Sequence, residues 1–166
     1  MKRRILGIDP GFALVGFGVV DEENGRLTAV DYGVISTPKE DKFAVRLETI
    51  YDSMTEIIKT YKPDAISIEE LFFFRNQTTV IPVAEARGII VLCGKQNHIP
   101  MYEYTPLQIK QALTGNGRAE KKQIQFMVKN ILGLDKIPKP DDAADAVAVA
   151  LTHLQFNNTL SDNSLQ

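Results

Sequence analysis

The run Arg4-Ile5-Leu6-Gly7-Ile8-Asp9-Pro10-Gly11 constrains this chain more than any other stretch. Ile5, Leu6 and Ile8 are strand formers, and Pro10-Gly11 halts the strand immediately after Asp9. A carboxylate is thereby held where the backbone leaves a buried sheet, a place where function concentrates. Alternation points Leu6 and Ile8 to one face, and Ile5, Gly7 and Asp9 to the other. The other acidic residues matter to the extent that the fold brings them to Asp9.

The order of elements around that strand predicts the fold class. Residues 14–20 are apolar and interrupted by Gly16 and Gly18; residues 21–25 form a turn whose Asn24-Gly25 is a strong hairpin signal; residues 27–35 return as a third strand. Such short loops imply an antiparallel meander. After a linker at 38–41, Phe43, Leu47, Ile50, Tyr51, Met54, Ile57 and Ile58 keep a helical period that Pro63 ends. Residues 65–69 and 100–104 read as short strands, and 78–97 as mostly helix. Two helices follow, around 106–113 and 120–132, separated by Gly115-Asn116-Gly117, and a last one covers 142–154. The expectation is an α/β fold with a five-stranded mixed sheet, three strands antiparallel and then two parallel, with helices on both faces. Length fits one domain over 1–156, and the polar residues 157–166 read as a loose tail.

Composition excludes several classes. Cys93 is alone, so no disulfide framework or cysteine metal site is available, which suits a reducing cytosol. The basic N-terminus does not read as a signal peptide, because Asp9 and Pro10 interrupt its apolar run. No apolar run approaches a membrane span. These readings point to a cytoplasmic protein without a membrane partner. The net charge of −2 argues weakly against a nucleic-acid partner. The local distribution argues the other way: between 109 and 130 stand Lys110, Arg118, Lys121, Lys122 and Lys129 against one acid, Glu120. A solvated helix face explains that stretch equally well.

Carboxylates carry the functional reading. Residues 65–69 repeat the first strand's pattern, with Ile66 and Ile68 on one face and Ser67 and Glu69 on the other. A parallel neighbour of the first strand would bring Glu69 beside Asp9, since adjacent strands lie about 4.8 Å apart. Glu70 points the other way on this register. Asp142 and Asp145 are three apart and share a helix face; Asp141, four from Asp145, is also compatible and is a good N-cap after Pro140. An acidic, capping helix start is the plain alternative. Ala143, Ala144, Ala146, Ala148 and Ala150 tilt against it, because small side chains let a helix lie close to a sheet. Hard oxygen ligands without a His or Cys cluster suit magnesium or manganese, and two such ions can clamp both oxygens of a phosphodiester displacement. Without a cation the acids would repel one another and their pKa values would rise.

Ile5–Gly11, Ile68-Glu69-Glu70-Leu71-Phe72, Ala86-Arg87-Gly88 and Asp142-Ala143-Ala144-Asp145-Ala146 occur in an order that resembles the RuvC family of bacterial Holliday-junction resolvases, over residues 4–153. The resemblance implies a ribonuclease H-like fold and a homodimer. The implied activity is magnesium-dependent nicking of two strands of like polarity at a four-way DNA junction, in recombination and repair. It implies RuvA and RuvB as branch-migration partners. It places the four catalytic, metal-holding acids on Asp9, Glu69, Asp142 and Asp145, a junction-contacting aromatic on Phe72, and DNA-contacting cations on Lys110 and Lys121. Phe73 and Arg75, in the same aromatic run, are further DNA-contact candidates, and local charge adds Arg118 and Lys122. Ala84, Ala86 and Gly88 suit a dimer seam or internal packing alike. His98 and His153 read as structural, although a cationic His153 would suit its helix C-terminus and a second-shell role. Two other functions compete. Ile8-Asp9-Pro10-Gly11 also resembles the first phosphate loop of actin-like ATPases, although the chain is short for their two lobes. A junction-binding protein without catalysis is the other, although bare carboxylates would only repel DNA.

Overall fold

β1 (Lys2–Asp9) is the middle of five strands, and both its faces are covered. The computed structural model describes residues 1–71, 77–156 and 163–165. β1 is followed by β2 (Leu14–Glu23), β3 (Arg26–Ser36), α1 (Phe43–Tyr61), β4 (Ala65–Glu69), α2 (Gln77–Gln96), β5 (Met101–Tyr104), α3 (Pro106–Thr114), α4 (Lys121–Ile131) and α5 (Asp141–Gln155). The sheet order is β3-β2-β1-β4-β5. β1, β2 and β3 pair antiparallel, whereas β4 runs parallel to β1 and β5 parallel to β4. This is the mixed sheet that the element order predicts, in the ribonuclease H-like arrangement that the resemblance implies.

Alternation along the central strands sorts the core into two layers. Leu6, Ile8, Ile66 and Ile68 pack with Ile50, Met54 and Ile58 of α1 and Ala86, Ile90 and Cys93 of α2. Ile5, Ala65 and Tyr104 face the other way, onto α3, α4 and α5. β2 runs to Glu23, past its expected end at residue 20. The reason is cross-strand charge pairing: Arg4 lies opposite Asp21 and Arg3 opposite Glu22. Arg4 grips Asp21 with two guanidinium N–H donors at 2.7 and 2.8 Å. The turn shrinks to Asn24-Gly25, both left-handed with φ of 52° and 79°, the backbone that a tight hairpin demands.

α5 lies directly on the sheet. Gly7 pairs with Gly18 on β2 and with Ser67 on β4, a row of minimal side chains beneath the helix. A Cβ on Gly7 would overlap the Ala146 carbonyl and stand 2.8 Å from the Ala150 nitrogen. The alanines of α5 supply the matching flat surface, and all of them are buried. The Ser67 hydroxyl donates to the Val149 carbonyl at 3.1 Å, so the one polar group in the row is satisfied inside the contact.

Two expectations fail. Asp141 does not cap α5; Pro140 occupies the N-cap and Asp141 is the first helical residue. Nor is the tail loose at 163–165. Ser164 bridges Tyr102, and the Leu165 N–H donates to the Met101 carbonyl at 3.0 Å. β5 is an edge strand with unpaired backbone groups, and Leu165 reaches the α1–α2 core layer from it.

Candidate active site

Register decides the first pair. β1 and β4 pair Ile8 with Ile68, so the next residues, Asp9 and Glu69, are neighbours on the α5 face at the carboxyl ends of parallel strands. Their carboxyl groups share a hydrogen bond. Burial, then the fields of Glu69, Asp145 and Asp142, raises Asp9 to about 9. Glu69 is raised to about 7 by burial and then by Asp145, against the opposing fields of Lys121 and Lys110. A proton held between two carboxyls is what a low-dielectric site imposes when no cation is present.

The rotation of α5 decides the second pair. Gly16, opposite Asp9 in the β1–β2 ladder, lies under the α5 turn at Asp142: a Cβ there would overlap the Asp142 carbonyl. Asp142 consequently acts on Asp9, whereas Asp141 points to the rim, with Lys139 at 2.8 Å. Asp145, one turn on, is raised first by burial. A pocket of about 230 Å³ joins Asp145 and Glu69 to Lys110, Lys121, Ile109 and Ile124. Lys121 reaches Asp145 at 3.3 Å. Among the described residues no three acids are gathered in metal-ligating geometry. The raised Asp9 and Glu69 mark how strongly the cluster disfavours its own negative charge, and the Lys121 ammonium offsets part of it at Asp145. The donor set therefore fits a hard divalent cation.

The sequence matches the family Crossover junction endodeoxyribonuclease RuvC over residues 5–153. The chain belongs to the RuvC family. A relative named crossover junction endodeoxyribonuclease RuvC, from Fusobacterium nucleatum, is 56% identical over 151 residues, which cover 91% of this chain and 80% of the relative. The structure of Thermus thermophilus RuvC in complex with Holliday junction substrate superposes with a TM-score of 0.89 at 34% identity, covering 93% of this chain and 94% of that one. The yeast mitochondrial Holliday junction resolvase shares the fold, with a TM-score of 0.68 at 12% identity over 93% of this chain and 80% of that one.

All four acids lie within the part matched to RuvC. Lys110 and Lys121 line the acid pocket, whereas Lys122 lines a separate groove with Thr114, Phe126 and Met127. Helix phase explains the split: Ile124 and Val128 bury one face of α4, and Lys121 continues that face while Lys122 turns away. Arg118 is exposed in the α3–α4 loop and does not line the pocket. Phe72, Phe73 and Arg75 lie outside the described residues. His153 is not cationic; burial lowers it to about 4, and its Nδ1 lies 2.8 Å from the Tyr104 hydroxyl, tying α5 to β5. His98 is an exposed left-handed residue after α2. Sequence reasoning gave Gly16 and Gly18 no part in the site. The available signal was a glycine inside a strand, which marks close approach of another backbone.

The raised acids give a pH dependence. The folded, metal-free protein holds a proton near Asp9 that the unfolded chain releases above about pH 4. Stability therefore falls as pH rises from there through about 9, the value to which Asp9 is raised. Metal-free Tm is expected to drop between pH 5 and pH 9, as read by circular dichroism, and Mg2+ or Mn2+ should recover the loss. A flat metal-free profile would contradict the buried acid pair.

Proposed function

We propose that this chain is a Holliday junction resolvase: a crossover junction endodeoxyribonuclease that nicks two strands of like polarity, in recombination and repair in the cytoplasm. The observation that carries the reading is the convergence of Asp9 and Glu69 with Asp142 and Asp145 under α5, in a member of the RuvC family. Asp9, Glu69, Asp142 and Asp145 would hold two magnesium ions, with manganese as a substitute. The oxygen-only donor set supports that choice, since Cys93 is buried on the opposite face of the sheet and His153 is engaged by Tyr104. Bound there, the ions would supply an activated water and stabilisation of the leaving oxygen.

The chain's own groups do the rest. Lys110 and Lys121, at the rim of the acid pocket, hold a phosphate of the strand to be cut and make binding salt-sensitive. Phe72 stacks on an unpaired base at the junction centre, and Phe73 and Arg75 are further DNA-contacting residues. A homodimer would place two such sites on one junction. Support for its seam comes from α2, where Ile81 (65% exposed), Ala84, Gly88 and Leu92 (48% exposed) form an outward stripe, while Ala86 is buried and drops out of it. RuvA and RuvB would deliver the junction.

The test is cleavage of a synthetic four-way junction with and without Mg2+. Paired nicks in strands of like polarity, only with metal, are expected; metal-independent cutting, or none, would overturn the reading. Phe72→Ala is expected to slow single-turnover cleavage about tenfold to a hundredfold, in line with a stacking contribution of about 1–3 kcal/mol, with a smaller effect on binding. Unchanged turnover would return Phe72 to a packing role.

A further inference from the structure

The acid cluster carries a tethered cation of its own. Lys121 Nζ stands 3.3 Å from an Asp145 carboxylate oxygen and 3.5 Å from one of Asp141. The other Asp141 oxygen takes Lys139 at 2.8 Å, so Asp141 is anchored from the rim and offers Lys121 a fixed resting point. Lys121 is the first residue of α4, whose Ile124 and Val128 are buried against α5. The backbone beneath the lysine is therefore fixed, while its side chain is 54% exposed and lines the pocket. Lys110 lines the same pocket and makes no salt bridge among the described residues. Of the two lysines at this site, only Lys121 rests on an acid among the described residues.

We propose that Lys121 is a built-in counter-ion: it occupies Asp145 until a divalent cation displaces it, and the freed ammonium then takes a phosphate of the bound strand. This rests on the assignment of Asp145 as a metal ligand. A divalent cation on Asp145 offsets the carboxylate's charge and repels the ammonium beside it, so metal weakens the hold on Lys121 and Lys121 weakens the hold on metal. The exchange couples the ligands through one side chain. Metal releases a phosphate contact for DNA, and DNA draws away the competitor of the metal, with equal coupling in both directions. Asp141 acquires a positioning role, as the residue that keeps Lys121 parked.

The test uses the full-length, DNA-free protein with Mn2+ alone as probe, titrated by calorimetry at low and high salt. Lys121→Met is expected to bind Mn2+ about threefold to tenfold more tightly than wild type at low salt. The gain should shrink at high salt, where the exposed pair is screened. Lys110→Met removes the same charge from the same pocket without breaking an ion pair, and should change affinity less than about twofold. Lys121→Arg keeps the competitor and should stay near wild type. A Lys121→Met affinity equal to that of wild type, or to that of Lys110→Met, would overturn the counter-ion role while leaving the metal site standing. If wild type takes up no Mn2+, or takes it up as well after Asp9→Asn, the metal-site assignment itself fails, and the counter-ion role with it.

Discussion

Asp9→Asn is expected to bind a four-way junction as wild type does and to cut it at least about a thousandfold more slowly. The substitution keeps the shape and removes the charge. Asp9 lies on the α5 face beside Glu69 and within the fields of Asp142 and Asp145, so its loss weakens the grip on any cation held there. A bound metal contributes several kcal/mol to a phosphodiester transition state, and about 4 kcal/mol corresponds to about a thousandfold in rate. Binding without metal should survive because Lys110 is untouched and Lys121 rests on Asp145 in both proteins. The same change relieves repulsion, so metal-free Asp9→Asn should lose most of the fall in Tm between pH 5 and pH 9. Single-turnover cleavage beside a gel-shift titration without metal separates the two effects. Equal cutting by variant and wild type would remove Asp9 from the site.

Gly7→Val should destabilise the fold by at least about 3 kcal/mol, at or beyond the usual range for overpacking. The cause is not the strand, which valine would favour, but the helix above it. A Cβ at position 7 already overlaps the Ala146 carbonyl and crowds the Ala150 side chain at 2.9 Å. Backbone cannot yield as a flexible side chain can, so α5 must lift off the sheet. Lifting it opens the contact that buries residues 146–154 and carries Asp142 and Asp145 away from Asp9. Urea unfolding followed by circular dichroism measures the loss, and Mn2+ affinity of the folded fraction reports the displaced acids. Wild-type stability in this variant would mean that α5 does not rest on β1.

Much of this architecture is local and so was readable from residue order. The period of two in residues 5–9 and 65–69 put Asp9 and Glu69 on the same side of their strands, and the parallel register delivered them as neighbours. Asn24-Gly25 named its own turn, since both residues tolerate the left-handed backbone found there. The alanines of α5 announced a close helix–sheet contact, and the buried helix bears that out.

Other features depended on distances between elements, which no local pattern encodes. Spacing left Asp141 and Asp142 open; the seat of α5 over Gly16 turns Asp142 toward Asp9 and leaves Asp141 at the rim. Local charge treated Lys121 and Lys122 alike, but the burial of Ile124 and Val128 sets the rotation of α4 and brings only Lys121 to the acids. The polarity of the last residues concealed Leu165, whose place is set by a free strand edge far away in the chain. Periodicity is a property of neighbours along the chain, and by itself the sequence determined which face each acid occupies. Which faces meet was decided only when β1, β4 and α5 packed together.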